Sequence, residues 1–438
     1  MRALACSAAA LALVLAASAQ AAAPTAQAPG KPTPEAQAMQ KLVASKAFKA
    51  AAQKLADDHE RTVADIIKLT EIPAPPFKEH ARGLAYLDML KAQGLTDVEM
   101  DAEGNVTGVR PGTKTKGKGP FVVLAAHQDT VFPEGTDVKV HREGDRLMAP
   151  GIGDDTRSLA TLLAYMRALD AAHIKTRADI LFVGNVGEEG AGDLRGTRYL
   201  FTKGRYKGQI TAFFSMDGSD PYRVVDQGVG SRRYKVTFKG PGGHSYGAFG
   251  LVNPMAAMAK SVVDLYAIEA PKTPKTTYAA SVTGGGTSVN AIPNEVFMEF
   301  DMRSESPEEL AKLDKQLLGI FDAAVAGENA ARSTRVGKVT YEAKLIGERP
   351  AGRTPADAAI VKTTHAAIEA LGFTPEHEAS STDSNVPMSL GVPAVTIGSG
   401  GKAGRAHSLD EWIDVDKANS VKGMQVGLAA LLGMAGVD

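Results

Sequence analysis

Four short apolar runs, each ending beside a polar or charged residue, constrain this chain more than any other feature. They are "FVVLAAH" (121–127), "ADILFVGNV" (178–186), "ITAFFSMD" (210–217) and "PAVTIGS" (393–399). Runs this short that stay apolar at nearly every position suit strands buried on both faces. Between them lie segments with helical apolar spacing, such as "DDTRSLATLLAYMRALDAA" (154–172) and "PADAAIVKTTHAAIEALG" (355–372). Strand and helix in alternation predict an α/β fold with a mostly parallel, doubly wound sheet.

The rhythm changes between residues 231 and 346. "SRRYKVTFKG" reads as strand, "NPMAAMAKSVVDLYAIEA" as helix, "TTYAASVTGG" and "NEVFMEFDMRS" as strands, "SPEELAKLDKQLLGIFDAAVAG" as helix and "KVTYEAKLI" as strand. That βαββαβ order is the split ferredoxin-like unit. The expected organisation is therefore a catalytic domain in two parts, 39–230 and 347–438, with an inserted α+β lid at 231–346. An exposed edge strand on such a unit would let the lid pair two subunits as a homodimer. Upstream, residues 35–73 carry helical spacing until Pro73.

Residues 1–23 place Arg2 before an Ala- and Leu-rich run and the small-residue pattern Ala19-Gln20-Ala21. That order predicts a cleaved signal peptide, followed by a linker at 24–38, and hence a secreted or periplasmic protein with no membrane anchor. The single cysteine, Cys6, would leave with the signal. The mature chain would then offer no thiolate, so a metal would have to be held by His, Asp and Glu. Lys and Arg (49) almost cancel Asp and Glu (50), which argues against a nucleic-acid partner and for a small molecule. "GTKTKGKGP" (112–120) reads as a solvated hairpin.

The residues that follow the apolar runs carry the chemistry. His127 and Asp129 follow the first run, Glu188 and Glu189 the second and Asp217 the third, while His407 comes soon after the fourth. Open α/β sheets bind ligands beyond the carboxyl ends of their strands, so these groups should converge on one crevice. The Gly-rich turn carrying Asp154 and Asp155 could reach it too. Imidazoles and carboxylates without thiols suit Zn²⁺ or a similar cation. Two dications would balance three carboxylates and a hydroxide, whereas the bare cluster would repel itself and take up protons. His59, His80, His141, His173, His365 and His377 have no such context and are assigned no chemistry.

In order along the chain, "HQDTV", "GIGDDTRS", "GNVGEEG", "SMDG", "GPGGHSYG", "TSVNAIPNE" and "AHSLDEW" resemble the M20 family of co-catalytic zinc metallopeptidases, which spans peptidase T, carboxypeptidase G2 and aminoacylase-1 types. The resemblance implies His127, Asp154, Glu189, Asp217 and His407 as ligands of two Zn²⁺ per subunit, with Asp154 bridging and Co²⁺ or Mn²⁺ as alternatives. It implies Asp155 as the partner in an Asp-Asp pair that shapes the turn; Asp129, two residues from His127 on the same side of an extended segment, is expected to accept the second ring N–H of His127. Glu188 becomes the general base for a metal-activated water. His244 becomes the lid histidine that stabilises the oxyanion. Asn290 and Arg303 become substrate-binding residues. The implied activity is exopeptidase cleavage of di- or tripeptides; carboxypeptidase, N-acyl-amino-acid deacylase and an inactive binding protein are the alternatives.

Overall fold

The computed structural model describes residues 32–438, so the signal-peptide segment 1–23 lies outside the described residues. Strand Phe121–His127 is buried at all seven positions, as is Asp179–Asn185 beside it. Alternate side chains of the first strand serve two cores. Val122, Leu124 and Ala126 join Leu159, Leu162, Phe182 and Leu428 on one face. Phe121, Val123 and Ala125 join Leu181, Leu200 and Phe213 on the other. Helices Arg157–Ala171 and Lys417–Ala435 cover the larger core, which explains why both are apolar almost all round.

The main sheet is mixed and parallel at its centre. Its order is Thr96–Met100, Val106–Arg110, Asp179–Asn185, Phe121–His127, Ile210–Met216, Ala394–Ile397, Arg223–Gly228 and Gly352–Arg353, with Glu376–Ser380 also paired to Arg223–Gly228. The four strands from Asp179–Asn185 to Ala394–Ile397 run parallel, and their carboxyl ends share one edge of the molecule. Antiparallel pairs close the margins at Val106–Arg110 and Arg223–Gly228.

A second sheet has its own core. Its order is Thr276–Gly285, Glu295–Ser304, Gly230–Lys239 and Thr340–Arg349, all antiparallel. Helices Pro254–Leu265 and Pro307–Ala331 supply Leu265, Leu317 and Phe321 to pack on Phe238 and Phe300. Only Val229 separates this sheet's first strand from Arg223–Gly228 of the main sheet. At the other crossing, strand Thr340–Arg349 continues three residues beyond position 346 before the chain returns to the main sheet.

The N-terminal stretch is helical as its spacing predicts, and the structure adds two details. It is three helices, Pro34–Ala44, Lys46–Asp57 and His59–Thr70, because the Ser45 hydroxyl accepts the Phe48 N–H and starts a new helix. It also begins at Pro34, within the segment read as linker, where Thr33 accepts the Ala36 N–H. Proline at a first helical position is tolerated because its missing N–H would have no partner there.

Candidate active site

His127 ends the central strand, and its ring orientation is fixed by the main chain. Nδ1 lies 3.0 Å from the Asp129 carbonyl oxygen, which can only accept, so Nδ1 carries the proton. In the neutral ring, Nε2 then presents a lone pair 2.9 Å from Asp154 Oδ1. At His407, Nε2 lies 3.1 Å from Asp154 Oδ2 and 2.9 Å from Glu189 Oε1, so two carboxylate oxygens converge on one ring nitrogen. Two acceptors this close require a proton or a cation between them.

The charge states express that conflict. Burial would lower the His127 pKa, but the Asp154 carboxylate and the charges of Asp155 and Asp129 outweigh it and hold it well above the usual value. The bonds to Asp154 and Glu189 push His407 up to about 11. Burial would raise Asp154, yet the two imidazoles hold it below the usual carboxylate range. Burial raises Glu188, Glu189, Asp217 and Asp155, and like charges among the carboxylates add to it. His127, Asp154 and Asp217 each offer a donor atom within 4.8 Å of the others, and so do Asp154, Glu189 and His407. These two trios share Asp154. A third, His127, Glu188 and Glu189, overlaps both. The donor set of imidazoles and carboxylates fits divalent cations, which would offset the negative charge gathered here.

Asp154 is placed by a carboxylate that sequence reasoning missed. Glu411 accepts the N–H groups of Gly153 at 2.7 Å, Asp154 at 2.9 Å and Gly151 at 3.0 Å, tying down the turn that Asp154 occupies. Gly151 is needed there because its φ is +76° and a Cβ would meet Thr130. The Asp154–Asp155 peptide is cis. The Asp155 carboxylate reaches out of its own turn and accepts the His127 N–H at 3.1 Å, so it braces the neighbouring strand end.

Asp129 corrects a sequence expectation. Its carboxylate does not take the ring proton of His127, since the nearer oxygen is 3.7 Å away and the Asp129 carbonyl already serves. The carboxylate accepts instead the N–H groups of Glu188 at 3.1 Å and Glu189 at 2.8 Å, fixing the loop that bears both glutamates. Arg349, also unforeseen, ion-pairs with Glu188 at 3.1 Å. Asp383, buried behind the site, accepts from Asn185 and Thr197, both at 2.6 Å, and burial pushes its pKa up to about 6. Glu411 lies in "AHSLDEW", a segment singled out in the sequence for its His407.

A cavity of about 540 Å³ opens between the two sheets. Asp154, Glu188, Glu189, Asp217 and His407 line it from the main sheet's side, together with Arg223, while Arg233, Arg303 and Arg349 line it from the second sheet's strands. Arg233 and Asp301 face each other across paired strands, and Asp301 accepts at 2.9 Å from the Nε of both Arg233 and Arg303. His244 and Asn290 do not line the cavity. They are exposed on a separate two-stranded ladder, Gly243–His244 with Ala291–Ile292, where the Ser245 N–H donates to the Asn290 carbonyl at 2.8 Å. The structure thus brings these two together, outside the cavity that Asp154, Glu188, Glu189, Asp217 and His407 line. His365 and His377 stack edge-to-face and His377 bonds Asp226 at 2.9 Å, apart from the cavity lining.

The profile of peptidase family M20/M25/M40 matches residues 123–432. The chain belongs to this family. It is therefore a hydrolase of the peptidase and amidohydrolase type. A succinyl-diaminopimelate desuccinylase of Polaromonas sp. (strain JS666 / ATCC BAA-500) is 25 % identical over 343 residues, covering 72 % of this chain and 76 % of that protein. Two further relatives align over only 32 and 35 % of their own length. Among solved structures, aminopeptidase PepT from Bacillus cereus ATCC 10987 superposes with a TM-score of 0.70 at 20 % identity, over 86 % of this chain and 99 % of that one. YXEP of Bacillus subtilis, described as a dinuclear metal-binding peptidase of the M20 family, gives 0.61 at 16 %, over 86 % and 99 %. At such identities the structural likeness speaks for the fold.

Proposed function

We propose that this family member is a di-zinc exopeptidase acting on small peptides that carry a free carboxylate. His127, Asp154 and Asp217 would hold one ion and Asp154, Glu189 and His407 the other. When bound, such ions polarise the scissile carbonyl and acidify water. Glu188 is the general base, because its ion pair with Arg349 commits it to the protein rather than to coordination. It would take a proton from the attacking water and pass it to the leaving amine. Arg233 and Arg303 share one carboxylate between two guanidiniums, and that surplus positive charge would receive the substrate's carboxylate.

The observation that carries this reading is one cavity with Asp154, Glu189, Asp217 and His407 on one wall, backed by the buried His127, and arginines of the second sheet on the other. Chromatography of a mixed di- and tripeptide library, with and without added zinc, tests it; zinc-dependent release of terminal residues is expected. No peptide turnover, with turnover of succinylated amino acids, would replace it by the deacylase reading that the Polaromonas relative supports.

His244 would act from a second subunit, since it is exposed and outside its own cavity. The outermost strand Thr276–Gly285 and the exposed Val263, Tyr266 and Val282 offer a surface for that pairing. Light scattering that finds a fully active monomer would exclude it. The order of residues 1–23 supports export, which intact-mass analysis of the mature protein checks.

A further inference from the structure

Arg349 is the last residue of strand Thr340–Arg349 and pairs with Ser231, so it is part of the second sheet. Its side chain leaves that sheet and enters the loop beyond Asp179–Asn185 of the main sheet. There Nη1 donates to Glu188 Oε1 at 3.1 Å and to Ser381 Oγ at 3.2 Å. Nη2 donates to the Glu188 main-chain carbonyl. One planar fork therefore holds the carboxylate and the backbone of the same residue, a geometry that an ammonium group does not reproduce. Asp129 grips the opposite side of this loop through the Glu188 and Glu189 N–H groups.

The other arginines of the cavity are used differently. Arg223 spends its donors on Glu378 and the Asp217 carbonyl. Arg233 and Arg303 share Asp301 through their Nε atoms. Arg349 alone among them contacts the residue assigned to proton transfer, and it is 5 % exposed. A charge buried this deeply, with its fork engaged by its own chain, is poorly placed to serve as a substrate receptor.

We infer that Arg349 is a positioning residue for Glu188, supplied by the second sheet, which holds the base in its working place only while the two sheets are docked as seen here. The inference rests on the general-base reading of Glu188. A lost or displaced fork would leave the carboxylate free to turn away from the proton it must take. Misplacement of a catalytic group by about an ångström costs on the order of 10²-fold in rate.

The test is a double-mutant cycle on zinc-loaded, full-length enzyme, comparing Arg349→Ala, Glu188→Gln and the double variant. Arg349→Ala should lower kcat about 10²-fold with KM little changed and metal content intact. Guanidinium chloride at a non-denaturing concentration should restore much of that loss, and methylammonium at matched ionic strength should not. In the Glu188→Gln background the Arg349→Ala change should cost nothing further. Arg349→Lys, which keeps charge and most of the volume, guards against an alanine variant that does not fold; it should also be slow. A wild-type kcat in either Arg349 variant, a loss confined to KM, or losses that multiply in the double variant would each overturn the inference. A wild-type kcat in Glu188→Gln alone would instead remove the general-base reading beneath it.

Discussion

The two ends of strand Asp179–Asn185 use carboxylates in opposite ways. At its start Asp179 accepts the N–H groups of Gly112, Gly117 and Gly119. Burial would raise its pKa, but those donors outweigh it and hold it below the usual range. Just past its far end, burial and neighbouring carboxylates raise Glu188 and Glu189. One end satisfies its negative charge with backbone donors and is complete as folded. At the other, Arg349 answers Glu188, while Glu189 joins Asp154 and His407 in a cluster whose donor atoms suit a cation. Burial is common to both, so the donor count separates a structural carboxylate from a metal-seeking one.

The largest expected effect separates the two glutamates at the far end. Glu188→Gln should keep its metal and lose about 10² to 10⁴-fold in kcat or more. Glu189→Gln removes a proposed ligand and should lose metal as well as activity. Plasma emission and kcat on both variants decide it, and metal loss confined to Glu188→Gln would reverse the two assignments.

Metal affinity at this end should also follow pH. His407, at about 11 without cations, must lose its proton to become a ligand, so metal binding releases protons and affinity falls as the medium is acidified. Chelator competition at neutral and mildly acidic pH measures this. Binding without proton release would break the contrast with Asp179.

The smallest effect belongs to the complete end. Asp179→Asn places an amide where only acceptors fit and should cost about 1–3 kcal/mol of stability near neutral pH. Because the folded pKa of Asp179 is depressed, its contribution is present above the unfolded value of about 4 and fades as pH falls through the folded one. Denaturant melts should therefore show the variant and the parent converging in acid, while activity per folded molecule stays unchanged. A constant gap at all pH values would mean that Asp179 acts through shape alone.

Asp179 also shows where sequence patterning stops. "GTKTKGKGP" reads as a solvated hairpin because its lysines and glycines are polar and flexible. In the fold its glycine N–H groups wrap a buried carboxylate some sixty residues away. Asp129 gives the same lesson in reverse: spacing puts it near His127, but its side chain serves Glu188 and Glu189.

The sequence by itself determined the α/β sheet, the second βαββαβ unit and the order of histidines and carboxylates at strand ends. Those features follow from local periodicity and from the rule that parallel strands deliver their carboxyl ends to one edge. Only the tertiary structure decided which acceptor each donor meets. Arg349, Glu411 and Arg233 come from distant parts of the chain; nothing in the local sequence of the two arginines distinguishes them from surface charges, and "AHSLDEW" marks Glu411 only by its neighbour His407. Their roles arise from partners distant in sequence: Glu411 meets the Gly151–Asp154 turn, Arg233 meets Asp301 on the paired strand, and Arg349 meets Glu188 across the two sheets, where a buried unpaired charge would be costly.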